Sequence, residues 1–367
     1  MSICRLALFI LYLTSFFFTS CVPESLYQNH SLLKEWEPIH KGLSKVFLKD
    51  AETILHGISR KKFDTLTPYI ERFEEYYPNG ESHRESFYDK FLYYSSYNRQ
   101  NPSKWHDQYR DNLIMWRDQN PELGTPWITL AYFEVYLAWY ARGGGYAHTV
   151  SDEGWRLFKT HNKNALKILK NAPNAAKQDP AYYDCLIRAS LSQGWDINEI
   201  LEIFKLGQEV DRNYTQLYKT IVHYLQPKWY GESKNEWIEW LEKALEFEDL
   251  TDKERKVIYA QTVRWNILRN IGRQEKGRNT FKKLGVDRDR FLDGVEICAT
   301  EYDQFQIWAG HLLYNAWWSE SPRHIQSAFN LMQGKYSHAS VGGTKQFLKI
   351  LLDVKKNYPE IEHIPRP

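Results

Sequence analysis

The most constraining feature of the sequence is the spacing of its apolar residues from about Ser31 onward. These residues recur every three or four positions, as at Ile200, Ile203, Phe204 and Gly207, which fall on one face of a helix. No stretch alternates apolar and polar residues over the length of a strand. The sequence therefore predicts an all-α protein with essentially no sheet.

Proline-containing breakers divide this helical pattern into blocks that resemble one another. Asp179-Pro180 opens one predicted helix pair, and Tyr182 in it is followed 32 positions later by Tyr214 at the start of the next. Trp195 and Trp229 stand at matching places, 34 positions apart. Loop lengths vary, and large side chains occupy several positions where tetratricopeptide repeats have small ones. We therefore expect an irregular tetratricopeptide-like α-solenoid of stacked helix hairpins.

The first residues have the pattern of an export signal. Arg5 precedes an apolar run over 6–18, which is too short to span a bilayer but suits a signal-peptide core. The sequence Phe18-Thr19-Ser20-Cys21 then resembles a bacterial lipobox, which implies cleavage before Cys21 and attachment of lipid to its thiol. The alternatives are an ordinary secretory signal with an incidental cysteine and an uncleaved anchor.

This interpretation sets the expected organisation and location of the chain. We expect a lipoprotein signal peptide over 1–20, a lipidated Cys21 with a tether over 21–30, an N-terminal helical region over 31–125, a helical-repeat core over 126–250 and a C-terminal helical region over 251–367. Because Val22 rather than Asp follows the cysteine, the resemblance to enterobacterial lipoproteins implies sorting to the outer membrane, on its periplasmic face. Cys185 and Cys298 then remain, either as buried thiols or as a pair.

The charge balance limits the partners that the chain can recognise. With 48 basic and 46 acidic residues the formal net charge is +2, which argues against a nucleic-acid binder. The segment 253–290 carries 12 Lys or Arg against 4 Asp or Glu. A solvated helix surface is the favoured interpretation of this segment, and contact with an anionic lipid, glycan or protein is the alternative.

Three segments of the predicted core are distinctive. They are Trp139-Tyr140-Ala141-Arg142-Gly143-Gly144-Gly145-Tyr146-Ala147-His148-Thr149-Val150 with Gly154-Trp155, then Gln193-Gly194-Trp195-Asp196, then Pro227-Lys228-Trp229-Tyr230-Gly231. Together they resemble the bacterial domain-of-unknown-function family 4034, over roughly 126–241. The resemblance implies a helical protein of the bacterial envelope and carries over no catalytic residue.

The loop after Trp139 is the best place to look for a function. Gly143 to Gly145 are expected to end a helix, since glycine adopts positive φ readily, and Thr149 or Ser151 to cap the next one. The sequence favours a structural loop in which Tyr146 and Trp155 fill the core and Arg142 pairs with a carboxylate. The alternative is a ligand-facing loop that presents Arg142, Tyr146, His148 and Thr149.

The aromatic residues allow two interpretations as well. Trp139, Trp155, Trp195 and Trp229 at helical spacing are more typical of a core than of a binding surface. The alternative is a platform that stacks on sugar rings or forms the hot spots of a protein interface.

The sequence favours a binding protein over an enzyme. No zinc motif, Walker A loop, dinucleotide fingerprint or Gly-x-Ser-x-Gly elbow is present, so we expect neither a metal nor a cofactor. We expect a membrane-anchored lipoprotein whose helical body binds an unknown protein or envelope component. The alternative is a glycan-active enzyme that uses two carboxyl groups, with Asp152, Glu153, Asp179 and Asp196 as candidates by loop position alone.

Overall fold

The computed structural model describes residues 31–33, 36–39, 42–75, 82–90, 102–246, 249–270, 280–302 and 307–361. The predicted signal peptide, Cys21 and the tether lie outside these residues. The chain forms two compact units. The larger unit comprises Lys45–Tyr77 and Glu81–Glu246, and the smaller unit comprises Met1–Ser44, Pro78–Gly80 and Phe247–Pro367. The sequence-based division at residues 125 and 250 stays a prediction.

The larger unit is a succession of helices. In chain order they are α1 (Gly42–Ser59, which enters this unit at Lys45), α2 (Thr67–Ile70), α3 (His83–Glu85), α4 (Pro102–Gln119), α5 (Gly124–Arg142), α6 (Asp152–Lys170), α7 (Pro180–Ser190), α8 (Ile197–Val210), α9 (Thr215–Tyr224) and α10 (Glu236–Ala244). From α4 to α10, each helix contacts the next one in the chain, and α7 also contacts α5 and α9. This is the stacking expected of helix hairpins.

Two neighbouring helices of this unit illustrate how burial follows from sequence. Helix α5 is buried on almost every side between Ile128 and Ala138, as a helix that is apolar all round must be. Helix α6 is instead amphipathic, and buries a single stripe that includes Phe158, Ala165 and Leu169. The central helix α5 therefore has partners on several sides, whereas α6 covers it with one face.

Among the described residues, the proline-containing breakers separate one helix from the next, as the sequence predicts. Asp179 caps α7 by accepting a hydrogen bond from the backbone N–H of Ala181, and Pro180 is its first residue. Ser151, not Thr149, caps α6 by accepting from the N–H of Gly154. Gly207 on α8 allows a close approach, because a Cβ there would lie 2.8 Å from a methyl group of Leu217.

The smaller unit is also helical and contains one short strand pair. Its α-helices are α11 (Asp252–Asn270), α12 (Thr280–Lys283), α13 (Arg288–Glu301), α14 (Ile307–Trp318), α15 (Pro322–Met332), α16 (His338–Val341) and α17 (Thr344–Asn357). Strand β1 (Glu37–Ile39) runs parallel to β2 (Lys335–Ser337), which places Pro38 opposite Tyr336. Helix α13 packs on α11, α14 and α15.

The prediction of an all-α helical-repeat fold is confirmed. The described residues are mostly helical, and helix packs against helix in both units. Cys185 in the larger unit and Cys298 in the smaller unit are buried thiols without a disulfide. Within the ranges that the structure describes, every helix is too short or too polar to cross a membrane.

Candidate functional site

The structure brings Arg142 together with three of the four predicted tryptophans. The Arg142 guanidinium carbon lies 5.5 Å from the ring centroid of Trp139, 5.0 Å from that of Trp155 and 5.6 Å from that of Trp229. These rings come from the end of α5, the first turn of α6 and the loop after α9. We call this group the tryptophan cage.

The rings of the cage also pack on one another. Trp139 meets Trp229 edge to face at 5.6 Å, and both Trp139 and Trp155 contact Phe158 on α6. His223, on the last turn of α9, lies 5.7 Å from Trp229. All three cage tryptophans are half-buried. They are thus neither full core residues nor an open platform, because the guanidinium already occupies the space between them.

Trp195, the fourth predicted platform residue, does not join the cage. It is half-buried in the turn between α7 and α8, and its ring contacts no other aromatic ring among the described residues. Trp195 and Trp229 stand at matching places in the sequence, but only Trp229 belongs to the cage.

Hydrogen bonds to loop carbonyls also hold the guanidinium. One Nη of Arg142 donates to the carbonyl oxygens of Gly143 and Gly145 at 3.1 and 3.2 Å. The Nε is buried and finds no partner among the described residues. Burial under the rings lowers the pKa of Arg142, and the π faces and carbonyls offset the lost hydration. Arg142 thereby fixes the path of the loop that follows it.

The two roles expected for Arg142 and Tyr146 in a structural loop are not found. No carboxylate among the described residues lies within ion-pair distance of Arg142. The indole rings and loop carbonyls described above are its partners instead. Tyr146 does not fill the core, because the residue is 80% exposed. Gly143 does end α5 with a positive φ of 73°, as expected.

The loop presents a stacked aromatic pair to solvent. The rings of Tyr146 and His148 lie 5.9 Å apart with an interplanar angle of 7°, and His148 is exposed as well. Thr149 is also exposed, but its hydroxyl donates to the carbonyl of Tyr146 at 2.8 Å, which closes the short 3₁₀ helix Ala147–Thr149. The loop is therefore held at its base by Arg142 and internally by Thr149, with its two rings outward.

The four candidate carboxylates of a glycan-active enzyme all lie at the N-terminus of a helix. Asp196 caps α8 by accepting from the N–H of Asn198, and Asp179 caps α7 and accepts from the Tyr88 hydroxyl at 2.9 Å. Burial raises the pKa of Asp179. Asp152 and Glu153 both stand in the first turn of α6, and Glu153 pairs with Arg156.

A fully buried carboxylate within α5 is a feature that sequence reasoning missed. Glu134 is 0% exposed, and its two oxygens accept from Arg110 on α4 and from His161 and Asn164 on α6. It borders a cleft of about 410 Å³ between these three helices, which is also lined by Trp127. The surrounding residues 128–138 are almost all apolar, so only the isolated acid in an apolar run signals this site.

Asp184 on α7 is a second buried acid. It accepts from Arg188 at 2.7 Å and also from the hydroxyls of Tyr132 and Thr220. Because these bonds occupy both of its oxygens, its role in the structure is to join α5, α7 and α9.

A third cluster lies in the smaller unit and brings together metal-ligating atoms. Asp293 and Glu296 on α13 and His324 on α15 each direct one ligand atom to a common point, and these atoms lie within 4.8 Å of one another. The sequence predicts no metal, because no zinc motif links these residues. The guanidinium of Arg323 contacts both Asp293 and His324 at this point.

No protein-family model matches the chain, and a comparison with curated proteins finds no match either. The resemblance to family 4034 therefore stays a prediction. Two of its three segments do converge, because the cage unites the Trp139–Trp155 segment with Trp229 of the third.

Proposed function

We propose that this chain is a lipid-anchored protein of the bacterial cell envelope whose helical body binds a protein or another envelope component. The loop from Gly143 to Val150 is the proposed contact surface. The proposal combines an export and lipidation pattern in the sequence with one geometric observation, the outward-facing ring pair of Tyr146 and His148.

The anchor is proposed on Cys21. A short apolar run that ends in Ser20-Cys21 fits a signal that is cut before a cysteine carrying lipid. One acyl chain binds a membrane only marginally, whereas two or three give stable attachment. With Val22 next in the chain, the periplasmic face of the outer membrane is the proposed location.

The observation that carries the binding role is the combination of a fixed base and exposed rings. Arg142, within the cage, sets the path of the loop, and Tyr146 then stands 80% exposed beside His148. Tyrosine is enriched among the residues that dominate binding energy in interfaces, because its large rigid ring buries much area at little cost in conformational entropy. A preorganised loop lowers the cost of binding further.

The glycan-active alternative has weaker support. Such an enzyme needs two carboxyl groups facing each other across a sugar. Asp179 and Asp196 serve as helix caps and Glu153 holds Arg156, so local structure accounts for three of the four candidate acids. The basic segment 253–290 is proposed to be a solvated surface, and no nucleic-acid partner is proposed.

The experiment that tests the binding role is crosslinking in the envelope of the native host, followed by capture of the tagged full chain. Tyr146→Ala is expected to reduce the recovered partner several-fold at unchanged protein level. Leu206→Ala is the matched control, since Leu206 is also a large exposed apolar residue of the same unit, at 48%. Equal recovery with both variants would contradict the proposed surface.

The anchor is tested separately. Cells that express the chain are labelled with a palmitate analogue, and Cys21→Ala is expected to abolish the label and release the protein from the membrane fraction. Unchanged labelling in that variant would contradict lipidation at Cys21 while leaving the binding role open to its own test.

A further inference from the structure

We propose that Asp293, Glu296 and His324 form a binding site for a divalent transition-metal ion, with Arg323 as an internal cation that occupies the site in its absence. The site lies within the smaller unit and is independent of the loop in the larger unit. Two carboxylate oxygens and one imidazole nitrogen are ligands that suit Zn²⁺ or a related ion.

The spacing of the three ligand atoms fits a small ion. His324 Nε2 lies 3.1 Å from Asp293 Oδ1 and 3.8 Å from Glu296 Oε2. Ligands at about 2.0–2.2 Å from a tetrahedral Zn²⁺ stand roughly 3.3–3.6 Å from each other. These two distances lie on either side of this range, and all three ligand atoms lie within 4.8 Å of one another.

Each ligand is oriented by a hydrogen bond or ion pair on its other heteroatom. Ser321 Oγ lies 2.7 Å from His324 Nδ1, which leaves Nε2 directed at the cluster. The Ser327 hydroxyl donates to Oε1 of Glu296, and Lys256 Nζ lies 3.4 Å from Oδ2 of Asp293. Outer partners of this kind fix ligand geometry in metal sites.

The burial of the cluster is asymmetric. His324 is only 1% exposed, whereas the side chains of Asp293 and Glu296 are 28% and 32% exposed. The imidazole therefore forms a rigid inner wall, and the carboxylates form an open side through which an ion enters. A three-ligand site with an open side also leaves room for a bound water.

A cation already occupies the point where the ligands converge, which is the second observation in favour of the site. Arg323 Nη2 donates to Asp293 Oδ1 and lies 2.8 Å from His324 Nε2, so the guanidinium stands against two of the three ligand atoms.

Arg323 is able to leave this position. Its side chain is 68% exposed, and exposed ion pairs contribute little to stability. A doubly charged ion that binds three ligands directly is therefore expected to displace it. Lys256 does not compete, because it contacts Asp293 through Oδ2 rather than Oδ1.

The experiment is equilibrium dialysis of the purified full chain in detergent against buffered Zn²⁺, with bound metal counted by mass spectrometry. We expect one Zn²⁺ per chain, at least about tenfold weaker binding in Asp293→Asn and in Glu296→Gln, and tighter binding in Arg323→Ala. His56→Gln is the control for adventitious binding, because His56 is an exposed histidine outside the cluster. It is expected to bind as the wild type does.

Circular dichroism of each variant checks that it is folded. The carboxylates are substituted rather than His324, because a change of this buried side chain is more liable to disturb folding. Two results would overturn the proposal. One is a failure of both the wild type and Arg323→Ala to bind Zn²⁺ more tightly than Asp293→Asn. The other is a loss of the bound ion in His56→Gln.

Discussion

The guanidinium of Arg142 lies 5.6 Å from the ring of Trp229, although Arg142 ends α5 and Trp229 lies in the loop after α9. This contact joins two segments that are distant in the chain and sets the base of the exposed loop between α5 and α6. Arg142 is thus a positioning residue, and Tyr146 with His148 forms the surface that we propose contacts a partner.

Arg142→Ala is expected to destabilise the larger unit. The substitution removes contacts with three indole rings and two carbonyl hydrogen bonds, which together contribute on the order of 2–3 kcal/mol. Thermal unfolding followed by circular dichroism measures the change. Arg142→Lys is expected to restore only part of the loss, because an ammonium group lacks the planar face that stacks on indoles. A melting temperature unchanged in Arg142→Ala would show that the cage does not hold the loop.

Glu134→Ala is expected to cost about 3 kcal/mol, because it leaves Arg110 and His161 without the buried carboxylate that they face. Chemical denaturation of the variant and the wild type measures this difference. Glu153→Ala is the matched control, since Glu153 also pairs with an arginine but on an exposed helix surface. The control is expected to leave the denaturation midpoint nearly unchanged, and an equally large shift in both variants would contradict the structural role of Glu134.

The stability contributed by His106 is expected to fall as the pH is lowered. His106 is buried between Trp105, Phe133 and Tyr140 and bonded to the Tyr136 hydroxyl at 3.2 Å. Burial, aided by His161 and opposed by Asp107, lowers its pKa below 6.5.

The sign follows from proton binding in the two states. Below pH 6.5 the unfolded chain takes up a proton at His106 while the folded chain does not, so the free energy of unfolding decreases until the folded pKa is reached. The melting-temperature advantage of the wild type over His106→Gln is therefore expected to be larger at pH 7.5 than at pH 5.5. An advantage that grows on acidification would contradict a neutral buried imidazole.

The sequence predicts the helices well because the buried face of a helix appears in the sequence as a local, periodic pattern of apolar residues. The stripe that α6 buries repeats every three or four residues, and the caps of α6 and α7 at Ser151 and Asp179 lie next to the segments that they begin. The sequence left Cys185 and Cys298 either as buried thiols or as a pair, and the structure shows two buried thiols.

The candidate sites were predicted less completely because they depend on contacts between distant segments. The sequence singled out Arg142 and the tryptophans, but expected a carboxylate where the cage supplies rings. Glu134 stands in an apolar run and gave no sign of its partners on α4 and α6. The ligand atoms of Asp293 and His324 come from different helices, and no local spacing links them.

Site-specific photocrosslinking tests whether the loop from Gly143 to Val150 contacts a partner. A photoreactive phenylalanine analogue at position 146 of the full chain, expressed in the native host, replaces one exposed aromatic ring with another. The same analogue at position 206 reports background contacts on the same unit. We expect an adduct of discrete mass from position 146 that is absent from position 206 and is lost when Arg142→Ala releases the loop. Equal adducts from both positions, or none from position 146, would contradict the claim that this loop is the binding surface.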